Sequence, residues 1–280
     1  MNIRHLTLLI TLCFLAISCA TISPDVRRAN ADKTASAAGF EKELVRTGPF
    51  VLTAYSRIMA PGKPVVFYIE GDGYAFVTPT RVSGDPTPRE PVVLQLAAQD
   101  PSPNVVYLAR PCQYTPEAMN PACKEFYWTD GRFSEEVVSA TAQAITFFSK
   151  KADASEIELV GYSGGAAVAV LVAARRTDVL RLRTIAGNLD PGLVNSNHGI
   201  LPLEGSLDPL DAASKIASIP QLHFIGGDDD VIPFEVLGTF SARLGRSPCF
   251  HFKTLPDATH AKGWTEAWSA LVRLPVSCSE

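Results

Sequence analysis

The most constraining stretch of this chain is residues 157–174, where an apolar run passes into a helix-forming run through a single serine. Ile157 to Tyr162 (IELVGY) reads as a buried strand, and Gly164 to Ala174 (GGAAVAVLVAA) as a helix of small residues. Between them, Gly161-Tyr162-Ser163-Gly164-Gly165 matches the pattern G-x-S-x-G. A strand that becomes a helix over one residue leaves that residue on a tight, strained corner. The flanking positions must then be small so that helix and strand can pack closely. Gly161 and Gly165 meet that need, and Ala166 and Ala167 extend it. The same residues would also suit a plain glycine-rich turn, so the rest of the chain has to decide.

The rest of the chain alternates. FVLTAYSRI from Phe50 has strand periodicity, VVFYI from Val65 and VVYLARP from Val105 read as strands buried on both faces, and LRTIAG (182–187), QLHFIGG from Gln221 and CFHFKTLP from Cys249 continue the series. Helical patterns lie between them. VVLQLAAQ follows Pro91, Ser134 is placed to cap a helix with Glu135 and Glu136 in its first turn, another helix follows Pro233, and the last covers 262–273. Strands alternating with helices predict an α/β fold, with a mostly parallel central sheet and helices on both faces.

The two ends of the chain carry other signals. Arg4 and His5 precede an almost wholly apolar run from Leu6 to Ile17, too short to span a bilayer, which takes about 20 residues. This is the build of a secretory signal over residues 1–18. Ala16-Ile17-Ser18-Cys19 resembles the lipobox of bacterial lipoproteins, which implies a lipid on Cys19 and a membrane partner through that anchor. Ala20, rather than Asp, follows the cysteine, which by the sorting rule of such lipoproteins implies the outer membrane, at its periplasmic face. An ordinary signal cut elsewhere is the competing reading. Residues 19–48 are polar and rich in Ala and Ser, a lipidated N-terminus and tether with room for a short helix, leaving 49–280 as the domain. The net charge of −4 and the lack of a basic run argue against nucleic acid as a partner.

Four further cysteines, an even number in an exported chain, suggest two disulfides. Three pairings are open. Cys112–Cys123 would close a short loop within 111–132. Cys249 starts the last strand, and the last helix returns Cys278 to the same end of the sheet, which favours Cys249–Cys278. Zinc competes poorly, because there is no C-x-x-C pair and no nearby histidine, and no metal site is expected.

A serine nucleophile needs a base, and the base an orienting acid. His5 falls in the signal, His223 and His251 fall inside strand patterns, and His198 lies in a loop. His260 follows the final strand in Pro256-Asp257-Ala258-Thr259-His260 and is the candidate base.

GYSGG, the turn GGDDDVIP, His260 and the loop EGDGY together resemble the α/β-hydrolase superfamily over roughly residues 50–275. YIEGDGYAF, YLARPCQY, ELVGYSGGAA and AGNLDP more narrowly resemble an uncharacterised group of Gram-negative α/β-hydrolase lipoproteins. The resemblance implies Ser163 as nucleophile and an acid in a G-x-x-D-x-x-V-P turn. Aligning Gly226 and Pro233 sets that acid at Asp229, with Asp228 and Asp230 as neighbours one step out of register. It implies an oxyanion hole from the N–H of Gly164 and one N–H of the loop Glu70-Gly71-Asp72-Gly73-Tyr74, where Glu70 replaces the usual histidine and Asp72 or Gly73 is the candidate donor. It implies no organic cofactor or metal, and hydrolysis of a small-molecule ester or acyl substrate, an ester or thioester above all. A peptidase or amidase of the same fold, or a silent envelope binding protein, are the alternatives. Substrate would meet the stretch 78–91 and the loop 111–132 at the carboxyl ends of the strands.

Overall fold

In a computed structural model the described residues are 22–278. The expected signal (1–18) and Cys19 lie outside them.

A helix α1 (Pro24–Ala37) is followed by strands β1 (Glu41–Thr47), β2 (Phe50–Ile58) and β3 (Val65–Ile69), and then by a small hairpin of β4 (Phe76–Thr78) and β5 (Arg81–Val82). Next come α2 (Val92–Ala98), β6 (Asn104–Leu108), α3 (Glu135–Lys151), β7 (Ile157–Tyr162), α4 (Gly164–Ala173) and β8 (Val179–Ile185). The chain ends with α5 (Pro191–Asn197), α6 (Pro209–Ala212), β9 (Gln221–Gly226), α7 (Phe234–Leu244), β10 (Phe250–Leu255) and α8 (Trp264–Leu271). Eight strands form one sheet in the order β1-β2-β6-β3-β7-β8-β9-β10. Strand β2 is antiparallel to both neighbours, and all other pairings are parallel.

Side-chain alternation on the central strands builds two cores. Val65, Phe67 and Ile69 of β3 face the core shared with α3, α4 and α7, while Val66 and Tyr68 face the core shared with α1, α2 and α8. That is why the central strands read as unbroken apolar runs. Every residue of α4 is buried, since it packs between the sheet and α3 and α6. Only a helix of Gly, Ala and Val can pack so closely on all sides. Helix α8 is fastened by Trp264 and Trp268, and Trp268 donates its indole N–H to Tyr68 Oη at 3.0 Å. Burying an aromatic of this size contributes roughly 4–6 kcal/mol, and the helix so held follows directly on His260.

Two details differ from expectation, the N-terminal segment and the cap of α3. Among the described residues, regular structure begins at the Ser23 cap of α1, well before Phe50. In place of a tether, α1 packs on the sheet and β1 pairs in full register with β2, from Glu41 opposite Ser56 to Thr47 opposite Phe50. Arg27 is buried and donates to the carbonyls of Asp85 and Thr87, Arg28 pairs with Asp85 at 3.1 Å, and Asp32 accepts from Tyr55 Oη at 2.7 Å. Polar residues therefore hold this segment in place. At α3, Ser134 occupies the cap position, yet its hydroxyl is buried without a hydrogen bond; its backbone alone is used, the carbonyl accepting from Val138 N–H and the N–H donating to Gly131 O. Cys112–Cys123 and Cys249–Cys278 are both disulfides, with Cα separations of 5.6 and 3.8 Å. The second is closer than the usual 4.4–6.8 Å.

Candidate active site

Ser163 sits between β7 and α4 with φ 49° and ψ −122°, a left-handed conformation that a residue with a side chain takes only under constraint. The constraint is visible. Ser163 N–H donates to Ile185 O, and its carbonyl accepts from Ala166 and Asn188, all at 3.0 Å. The glycines beside it are required by space. A Cβ on Gly161 would lie 2.5 Å from Ala166 Cα, and one on Gly165 would lie 2.3 Å from Ile69 O.

The hydroxyl of Ser163 is 3.0 Å from His260 Nε2, and His260 Nδ1 is 3.0 Å from Asp229 Oδ2. A carboxylate at Nδ1 fixes the ring proton there and leaves Nε2 to accept from the serine. Asp229 Oδ1 accepts from the N–H groups of Val231 and Ile232, both at 2.9 Å. Its side chain is wholly buried, whereas Asp228 and Asp230 are exposed. The turn thus folds around one of the three aspartates and leaves its neighbours in solvent. His260 is steadied through its own carbonyl, which accepts from Tyr162 Oη at 2.7 Å and from Trp264 Nε1 at 3.0 Å. His223 is elsewhere. It is buried between Thr184 and Gln221, and burial pushes it down to about 3. His198 bonds Val231 O and His251 bonds Ser277 O, neither touching Ser163.

The loop after β3 lies against the elbow. Gly71 abuts Ser163, its missing Cβ falling 3.4 Å from that of the serine. The carboxylate of Asp72 covers Gly164, whose missing Cβ would overlap it at 2.0 Å. Gly71 N–H is engaged by Glu70 Oε1 at 2.9 Å, which removes it as a donor to substrate. The N–H groups of Asp72, Gly73 and Gly164 donate to no acceptor among the described residues. Three features here escaped the sequence. Asp72 is paired with two arginines, Arg110 just before the expected substrate loop at 3.3 Å and Arg132 at its end at 3.5 Å. Gln113 reaches Gly71 O at 3.0 Å. Trp128 Nε1 donates to Ser83 O at 3.0 Å and joins that loop to the proline-rich stretch. No sequence motif marks any of these contacts.

Glu70 is fully buried beneath the loop, where its Oε2 accepts from Tyr107 Oη at 2.7 Å. Burial raises its carboxyl to about 7, against the opposing pull of Tyr107, Gly71 N–H and Arg110. The fold therefore prefers the protonated acid. Between the ordinary carboxyl value and pH 7 the native state binds more protons than the unfolded chain, so this contribution to stability is full at low pH and is lost as pH rises through 7. Glu70→Gln keeps an amide oxygen for Gly71 and has no such loss. The melting temperature of the variant should gain on that of wild type as pH rises from 5 to 8; parallel curves would show that Glu70 does not titrate there.

No protein-family model matches the sequence, and no curated protein matches it. Solved structures match the fold. Est1E from Butyrivibrio proteoclasticus is similar with TM-score 0.58 and 16% identity over 82% of this chain and 95% of that one. A Pyrococcus furiosus esterase, Pf2001, is similar with TM-score 0.60 and 14% identity over 85% and 90% of the two chains. An alpha-beta serine hydrolase homologue from Coxiella burnetii is similar with TM-score 0.56 and 18% identity over 83% and 95%. The fold of this chain is the α/β-hydrolase fold.

Proposed function

We propose that this chain is a serine hydrolase of carboxylic esters or thioesters, anchored in the bacterial envelope by a lipid on Cys19. The observation that carries the chemistry is the unbroken relay Ser163–His260–Asp229, with both links at 3.0 Å. In this reading His260 Nε2 takes the hydroxyl proton as Ser163 Oγ attacks the acyl carbonyl, and Asp229 stabilises the imidazolium. The oxyanion rests on the N–H groups of Gly164 and Asp72. The imidazolium then protonates the leaving alcohol or thiol, and an acyl-serine remains. Water, deprotonated by the same nitrogen, attacks that acyl group; the Ser163 Oγ–acyl bond breaks, Oγ takes the proton back from the imidazolium, and the acid is released. Ester chemistry is favoured because a structure described as an esterase is among those similar in fold. The lipid anchor is supported by the sequence around Cys19 alone.

A fluorophosphonate probe should label the wild type and not Ser163→Ala, and an ester panel should be turned over faster than a peptide panel. Cys19→Ser should move the exported protein from the membrane to the soluble fraction. Labelling of the alanine variant, or peptides turned over in preference to esters, would overturn the catalytic reading. Unchanged fractionation of Cys19→Ser would overturn the anchor.

A further inference from the structure

Gln113 is 1% exposed and belongs to no part of the relay, yet both ends of its amide are used. Nε2 donates to Gly71 O at 3.0 Å, and Oε1 accepts from Arg110 N–H at 3.1 Å. The carbonyl and N–H of a trans peptide point in opposite directions. Holding Gly71 O toward Gln113 therefore turns the N–H of Asp72 away from Gln113. Gly71 and Asp72 lie against Ser163 and Gly164, and that N–H donates to no acceptor among the described residues, which leaves it free for an oxyanion formed at Ser163. The next candidate, Gly73, faces Gln113 and Pro86 instead: its missing Cβ would meet Pro86 O at 2.1 Å and Gln113 Nε2 at 2.6 Å.

The backbone that presents Gln113 is unusual on both sides. Cys112 has φ 72° and Tyr114 has φ 59°, left-handed values at two residues that carry side chains. Such conformations persist only where the surroundings impose them. Here Gln113 N–H is held by Arg110 O, Thr115 N–H by Gln113 O, and Tyr114 N–H by Thr87 Oγ1. Cys112 itself is tied to Cys123.

We propose that Gln113 is a positioning residue for the oxyanion hole, and that the Cys112–Cys123 disulfide holds it there, so that full turnover requires that disulfide. The proposal rests on the hydrolase reading above. It concerns the rate of the chemical step, since a donor aimed at the oxyanion acts on the transition state more than on bound substrate.

The test compares the wild type with Gln113→Ala, Gln113→Glu and the double variant Cys112→Ser/Cys123→Ser on a soluble ester. Gln113→Glu keeps the size and the acceptor for Arg110 N–H but, when ionised, cannot donate to Gly71 O, so it is assayed up to about pH 9, where its carboxyl is ionised, and replaces the alanine variant if that fails to fold. Deleting a whole oxyanion donor lowers kcat about 10²–10³-fold. Misaiming one should lower kcat roughly 10–100-fold, with KM within about twofold, and weaken a trifluoromethyl ketone inhibitor, whose adduct is an oxyanion, by a similar factor. The cysteine double variant should show the same pattern. Adding Gln113→Ala to it should cause much less than a multiplicative further loss, because both act through one peptide. Cys249→Ser/Cys278→Ser, remote from the loop, should leave kcat within about twofold. A wild-type kcat in either folded Gln113 variant, a loss confined to KM, multiplicative losses, or an equal kcat loss in the control pair would each overturn this proposal alone. A wild type that neither labels with fluorophosphonate nor hydrolyses an ester would overturn the hydrolase reading and this proposal with it.

Discussion

His260→Ala should lower kcat/KM for an ester by about four orders of magnitude or more, equivalent to about 5.5 kcal/mol of transition-state stabilisation, while the protein stays folded. The size follows from what the ring does. Without Nε2 at 3.0 Å, Ser163 Oγ must lose its proton to water, since among the described residues no other side-chain base is hydrogen-bonded to it. What survives is the binding and oxyanion stabilisation that the backbone supplies. Folding should survive because the loop is held by the His260 carbonyl, through Tyr162 and Trp264, and these contacts do not need the imidazole. The acid can be tested in the same assay. Asp229→Asn removes the charge that fixes the ring proton on Nδ1 and should lower kcat about 10⁴-fold, as loss of this partner does in other triads. Asp228→Asn and Asp230→Asn alter exposed carboxylates with no contact to His260 and should stay within about twofold. Near-normal turnover in His260→Ala, or a large loss at Asp228 or Asp230 with Asp229→Asn spared, would reject the assignment.

The parts of this site that could be read in the sequence are those set by short-range sterics and chain order. Ser163 stands on its corner because Gly161 and Gly165 leave room for the crossing of β7 and α4, and small residues around a serine are visible in the string. Strand β2 coincides with the periodic run Phe50–Ile58, since one face of it is matched to a continuous core. Segments held by polar and long-range contacts were not legible. Helix α1 buries little beyond Arg27, Ala31 and Ala35, so its pattern gives no apolar stripe. The edge strand β1 carries Glu41, Lys42, Glu43 and Arg46, the charges that keep a sheet edge from pairing with other chains, and its pairing with β2 is not written in it. Arg110, Arg132 and Gln113 are separated from Asp72 and Gly71 by tens of residues. Their meeting depends on a loop with two left-handed residues, and nothing in PCQYT announces that geometry.

Gly165→Ala and Gly164→Ala, neighbouring changes of one methyl group, should fail in different ways. At Gly165 the new Cβ would lie 2.3 Å from Ile69 O, 2.5 Å from Glu70 O and 2.9 Å from Glu70 C. All three atoms are backbone at the end of β3, in the middle of the sheet and beneath the oxyanion loop, and no rotamer change can relieve the overlap. Either α4 moves off the sheet, opening the core that its buried valines fill, or β3 shifts and takes Glu70 with it. Overpacking of this kind costs about 1–3 kcal/mol and occasionally more. The upper end is expected here, because both partners are rigid, and for a domain of this size that is a fall in melting temperature of roughly 6–12 °C or loss of soluble protein. At Gly164 the methyl group would instead meet the carboxylate of Asp72, at 2.0 Å from Oδ1, and a side chain can yield. Asp72 is only partly buried, but it can yield only by leaving Arg110, which is buried and would lose its carboxylate. The displaced residue is also the one proposed above to supply the second oxyanion donor. Gly164→Ala should therefore fold with a smaller thermal loss than Gly165→Ala but lose kcat by about 10²-fold or more, the scale of an oxyanion donor. Thermal melts and single-ester kinetics on the two variants decide it: a wild-type melting temperature in Gly165→Ala would mean that β3 and α4 are not locked together, and wild-type turnover in Gly164→Ala would mean that Asp72 does not set the oxyanion hole.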